Sequence, residues 1–209
     1  MPTLHSLALF LAAGLALNLT PGPDMLYVAA RGASEGRAAG IVSAIGIGAG
    51  TLLHIALVAA GLAALLAAVP VAYVALRLGG AAYLIHLGVR ALRARPDAGR
   101  AAELPPAPLG AIFRQGVITN VLNPKVALFF LAFLPQFVDP SRGSPALQVI
   151  ALGLLFDVTG TLVNLAVALG SSRVAARLRG ASTSRRVIQR ITGGLFIALG
   201  ARLAYGARP

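Results

Sequence analysis

The chain contains no cysteine, which removes disulfides, thiol redox chemistry and thiolate metal sites from consideration. Charge is scarce too: 11% of the 209 residues are charged, and the acids are limited to Asp24, Glu35, Asp97, Glu103, Asp139 and Asp157. Lysine is almost missing, Lys125 being the single copy among basic residues that are otherwise arginine. The three histidines, His5, His54 and His86, are scattered and form no metal-ligand spacing. Aromatics amount to 6%, so the net charge of +12 comes without the stacking surface of a nucleic-acid binder. The N-terminus lacks the basic n-region of a cleaved signal peptide, and its apolar run continues past Leu17, so it is expected to remain as a first helix.

What is present is apolar. A hydrophobic content of 57% and a mean hydropathy of +0.82 are those of an integral membrane protein rather than a soluble domain. The apolar runs are long and unalternated, which selects helices over barrel strands, and helices satisfy their own backbone groups in lipid. Runs at about 4–30, 39–68, 70–89, 113–138, 146–172 and 187–205 predict six spans. Arginines gather between spans one and two (Arg31, Arg37), three and four (Arg90, Arg93, Arg95, Arg100, Arg114), and five and six (Arg173, Arg177, Arg179, Arg185, Arg186, Arg190). That bias places these connections in the cytoplasm and both termini outside, and draws them to anionic lipid headgroups.

Between Ala94 and Leu109 the chain holds Pro96, Pro105, Pro106 and Pro108, a linker composition. It divides the chain into residues 1–94 with three spans, a cytoplasmic linker at 95–112, and residues 113–209 with three more. A duplicated unit of three spans inserts its second copy upside down, so the expected fold is an all-α membrane protein of six helices in two inverted three-helix repeats. Within span two, Gly46-x-x-x-Gly50 has the spacing of close helix packing.

Two polar interruptions sit at corresponding places. The first is Asn18-Leu19-Thr20-Pro21-Gly22-Pro23-Asp24, the second Thr119-Asn120-Val121-Leu122-Asn123-Pro124-Lys125. Proline removes a backbone donor and breaks a helix, so the first and fourth spans are expected to be broken. Carbonyls near Leu17 to Leu19 lose their partners, while helix N-termini restart after each break. A charge at mid-bilayer costs about 2.5–3.5 kcal/mol unless it pairs or lines water. Asp24 and Lys125 are therefore expected to pair where the two breaks meet. Such a place suits a zwitterion, with its ammonium at Asp24 and its carboxylate at Lys125, and with Asn18, Thr20, Thr119, Asn120 and Asn123 as neutral partners. The plainer alternative is a structural ion pair locking two helices. Asp157, deep in span five, is either a proton-carrying group or a protonated aspartate bonded to a neighbouring helix. Arg77 reads as an interface anchor, and His54 and His86 as packing residues.

These residues resemble the lysine exporter and threonine-efflux (LysE/RhtB) family of bacterial exporters. The likeness rests on Asn18-x-x-Pro21-Gly22-Pro23-Asp24, Arg31-Gly32 with Gly36 and Gly40, and Gly80-x-x-Tyr83-Leu84-x-x-Leu87-Gly88. It continues in Gly116-x-x-x-Asn120-x-x-Asn123-Pro124-Lys125, then Phe129-Phe130-Leu131 and Phe133-Leu134-Pro135-Gln136-Phe137. The resemblance implies a non-enzymatic secondary transporter of the bacterial cytoplasmic membrane. It would export amino acids or close derivatives using an ion gradient, with assembly as a homo-oligomer; the intramembrane aspartates make protons the expected coupling ion, and no cofactor is expected. Asp24 and Lys125, with Pro21, Pro23 and Pro124 shaping the breaks, become the first substrate or coupling candidates. An ion or metal exporter and a non-transporting membrane subunit of the same fold are the alternatives. An aspartyl protease is disfavoured, because Lys125 opposes the shared proton that such a dyad needs.

Overall fold

A computed structural model describes residues 4–68 and 106–178 continuously, with isolated helical positions between 78 and 93 and between 190 and 205. Helix α1 (Leu4–Leu19) stops where Pro21 and Pro23 withhold their amide donors. Its last turn closes locally, Thr20 N donating to Ala16 O (3.0 Å) and Leu17 O (3.2 Å). Helix α2 (Pro23–Ser34) restarts with proline in its first turn and Asp24 beside its N-terminus, both favoured there. The two helices meet at 48°. Gly36, at φ +89, supplies the left-handed residue that turns the chain into the long helix α3 (Arg37–Ala68).

A second broken pair of helices follows, with different chemistry at its break. Helix α4 (Leu109–Val121) ends at a turn, and Asn123 caps α5 (Pro124–Leu128) through its side chain, with proline again in the first turn. The helix then widens into a π turn (Phe129–Phe133) and tightens into a 3-10 turn (Leu134–Phe137) around Pro135. The bend between α4 and the segment Pro124–Phe137 is 46°. A short turn (Pro140–Arg142) leads into α6 (Pro145–Leu178). There the Gln148 amide donates to Asp139 O (2.8 Å) and Gly143 O (3.2 Å) and tethers the connection.

Among the described residues, α3 and α6 are long and apolar enough to cross a bilayer alone, and each bent pair is apolar enough to make one more crossing, up to four in total. Most of the predicted third and sixth spans and of the linker at 95–112 lies outside the described residues, as does Arg77. The glycine spacing in α3 is used for packing. Gly46 lies against the Phe113 backbone of α4, and a Cβ on Gly50 would come within 2.8 Å of the Asn120 Cβ. Aliphatic side chains such as Leu57, Leu147, Val158 and Leu162 face outward, as lipid-facing surface requires.

Two apolar cores flank the breaks. Toward the Asp139 end lies an aromatic one containing Phe10, Phe129, Phe130, Phe133 and Phe156, with Phe129 stacked on Phe156 at 4.5 Å and Phe130 edge-on to Phe156 at 5.4 Å. Toward the Arg37 end lies a thinner aliphatic one made of Val28, Ala44, Ile47 and Ala168. The polar residues of the breaks fall between them.

Candidate functional site

Breaking α1 releases carbonyls, and Lys125 takes them. Its Nζ donates to Leu17 O (3.1 Å) and Thr20 O (3.0 Å), so a cation closes the negative end of the α1 dipole. The lysine reaches across because Gly22 has no side chain: a Cβ there would sit 3.0 Å from Nζ. Its own backbone N–H is held by Asn123 Oδ1 at 3.0 Å. The second break thus supplies both a cap for its own helix and the cation that caps the first.

Asp24 is 8% exposed, and its Oδ2 accepts from Asn120 Nδ2 at 2.9 Å. The other oxygen, Oδ1, and the amide Nδ2 of Asn123 are buried without a hydrogen-bond partner among the described residues, although the two side chains are neighbours. The expected direct ion pair is not made. The ion pairs among the described residues are Arg31–Glu35 and Arg142–Asp139. Lys125 is instead drawn to the α1 carbonyls, and Asn120 takes the place beside Asp24. The two opposite charges still line one cavity.

That cavity, ≈ 30 Å³ in volume, is lined by polar and apolar side chains. Asn18, Asp24, Asn120, Lys125 and Asp157, each expected from the sequence, come together there. Asn18 is also anchored, its Nδ2 donating to Phe156 O (3.3 Å) and Thr159 Oγ1 (3.2 Å). Asp157 Oδ1 accepts from Thr161 Oγ1 at 3.4 Å. Thr20, Thr119 and Asn123 do not line the cavity: the Thr20 hydroxyl folds back onto Ala16 O at 2.6 Å, and Asn123 serves as a cap. Pro21, Pro23 and Pro124 shape the two breaks without contributing donors.

Sequence reasoning missed Thr51, Thr161, Asn164 and the apolar wall of Met25, Ile47, Val126 and Phe156. A signal existed, since Asp157, Thr161 and Asn164 follow the i, i+4, i+7 spacing of one helix face. His54 is a packing residue as expected, near Asn120 O (3.3 Å) and stacked on Phe130.

Arg31 corrects another expectation. It is no loop charge: at 2% exposure it lies within α2, paired with Glu35 and donating to Gln115 Oε1 at 2.6 Å. Tyr27 OH donates to Ile112 O at 2.8 Å, and Glu35 Oε2 accepts from Ala107 N at 2.8 Å. This strap joins α2 to the start of α4 below the aliphatic core. The Ala107 amide, and then Arg31, hold the Glu35 carboxyl below its usual range.

Among the described residues no group of three or more His, Cys, Asp or Glu is placed to hold a metal ion. The arrangement offers a carboxylate, a cation with one unused proton and an apolar wall around one cavity between the two breaks. Such a set suits a small zwitterion.

Comparison with known proteins points the same way. The family model for LysE type translocators matches residues 15–207. The chain is 34% identical over 192 residues to an uncharacterized membrane protein of Pseudomonas aeruginosa, covering 89% of this chain and 88% of that one. It is 30% identical over 196 residues to the leucine efflux protein of Salmonella typhimurium (93% and 92% covered). To the homoserine/homoserine lactone efflux protein of the same organism it is 30% identical over 195 residues (93% and 94%). No solved structure matches the chain.

Proposed function

From the premise that the chain belongs to the LysE type translocator family, membrane transporters rather than enzymes, we propose that it exports small neutral amino acids or close derivatives from the cytoplasm by proton antiport. The observation that carries this reading is the division of labour at the breaks. The Lys125 ammonium is spent on Leu17 O and Thr20 O, whereas Asp24 accepts one close hydrogen bond, from Asn120, and its other oxygen faces the neutral Asn123 side chain rather than a cation. An incoming ammonium group therefore meets Asp24 rather than the α1 carbonyls. A lysine ammonium has three donors, and two are used, so the third is left for the substrate carboxylate. Met25, Ile47, Val126 and Phe156 then receive the side chain. The relatives named for leucine and for homoserine efflux fit a pocket with one apolar wall.

The two bends of similar size, 48° and 46°, support a reading of the chain as inverted repeats, residues 1–94 and 113–209, that rock about the cavity. The substrate carboxylate competes with the α1 carbonyls for Lys125. Substrate binding thereby loosens the tie between the first half and the second, and the aliphatic core and Tyr27–Glu35 strap close the cytoplasmic side while the aromatic side opens. A proton arriving at Asp157 or Asp24 displaces the substrate ammonium and resets the carrier.

Counterflow of labelled amino acids in proteoliposomes tests this. Wild-type protein is expected to exchange neutral amino acids and to respond to an imposed pH gradient. A transporter indifferent to that gradient is not a proton antiporter, and a chain that moves no amino acid at all ends the proposal.

A further inference from the structure

One cavity side chain has no place in the scheme above. Asn164, on α6, is 8% exposed, lines the cavity and makes no side-chain hydrogen bond to any described residue. An amide carries two donor hydrogens and an acceptor oxygen. Its amide atoms are not among the occluded, unpartnered ones, so they open into the cavity, where a polar group of a ligand can bond them. Its depth can be read from its neighbours. Val28 and Ala168 belong to the same buried cluster, and they lie one helical turn beyond Asp24 on α2 and beyond Asn164 on α6. Asp24 and Asn164 thus face the cavity from opposite helices at similar depth, immediately above the aliphatic core, with Met25 and Ile47 beside them.

We propose that Asn164 is the specificity-determining residue of the pocket, hydrogen-bonding a hydroxyl or carbonyl in the side chain of a neutral amino acid or derivative whose ammonium group lies at Asp24. This rests on the export reading and narrows its substrate class to side chains bearing a small uncharged polar group. A hydrocarbon side chain placed there leaves the amide unpaired. A site built to bond a hydroxyl discriminates against the isostere that lacks it far better than an apolar wall discriminates by size.

The experiment uses two near-isosteric pairs, threonine with valine and homoserine with norvaline, competing for counterflow in proteoliposomes of the full chain. Wild-type protein is expected to favour the hydroxylated member of each pair by about tenfold. Asn164→Leu should bring the ratio close to one by losing the hydroxylated substrates while keeping the hydrocarbon ones. Asn164→Ala, well suited to a helix, should do the same and decides the matter should the leucine variant fail to fold. An unchanged ratio in a transporting variant, or a wild-type preference for valine and norvaline, overturns the inference and leaves the export reading standing. Absence of any amino-acid counterflow by the wild-type chain overturns both.

Discussion

The two breaks bend by similar angles, 48° and 46°, yet they handle their exposed backbone groups in opposite ways. At Asn123-Pro124 the chain is self-sufficient: Asn123 caps the restarting helix and proline occupies the position where no donor is needed. At Pro21-Gly22-Pro23 it is not. Gly22 provides no side-chain cap, and the α1 carbonyls are satisfied by a lysine from the other half of the chain. One break is thus closed locally and the other on loan from its counterpart. A break held by a distant cation can be released by a competing anion, whereas a locally capped one stays as it is. In the proposed carrier cycle the first break is accordingly the one that moves.

The sharpest way to break that contrast is Lys125→Gln, which removes the borrowed charge. It should abolish efflux and also destabilise the protein, because hydrogen bonds from a charged donor are worth about 1.5–3 kcal/mol each. Asp24→Asn should abolish efflux while leaving a folded protein, since an asparagine oxygen still accepts from Asn120. Transport undiminished in both variants would remove the site assignment. Next in size is Gly22→Ala. The added Cβ crowds the flexible end of Lys125 rather than backbone, so transport should fall about tenfold, the worth of one weakened charged hydrogen bond, with a drop in thermal stability smaller than that of Lys125→Gln. Asn123→Ala probes the self-sufficient break. Loss of the cap should lower stability by about 1 kcal/mol and leave the preference among substrates unaltered, as read by denaturation and competition assays.

The smallest effect is expected outside the membrane, at the strap. Glu35 is held below its ordinary carboxyl range by Ala107 N and Arg31, so its contribution is present above the unfolded value and is lost as pH falls through the lower folded one. Acidification from neutral to about pH 5 should therefore leave the strap intact. Weakening appears only under more acid conditions, and Glu35→Gln should remove that acid-side dependence in unfolding measurements. An unfolding profile identical in the two proteins across the acid range would detach Glu35 from the strap.

Much of the site was legible because proline and charge are so unusual in an apolar helix. Asn18, Asp24, Asn120, Lys125 and Asp157 stood out as polar residues that lipid would not tolerate, and all five line one cavity. Arg31 was misread for the converse reason: near a span end a buried arginine and a loop arginine look alike in sequence. Its burial depends on Gln115 and Glu35 being positioned to receive it. Thr51 and Asn164 were overlooked because an isolated threonine or asparagine in a membrane helix is common and inexpensive compared with a charge. Only the packing of α3 and α6 against the breaks turned them inward.

By itself the sequence determined that this chain is a helical membrane protein, where two of its apolar runs are interrupted, and that an acid and a base stand at those interruptions. These are local consequences of apolar run length and of proline's missing donor. The tertiary structure decided which acceptor the base chose. Lys125 could reach either a carboxylate or released carbonyls, and the outcome followed from the space left by Gly22 and from Asn120 standing beside Asp24, contacts between residues roughly a hundred positions apart in the chain. Which charge remains free for a ligand is a property of three-dimensional neighbours, because electrostatic pairing depends on distance in space and not on order along the chain.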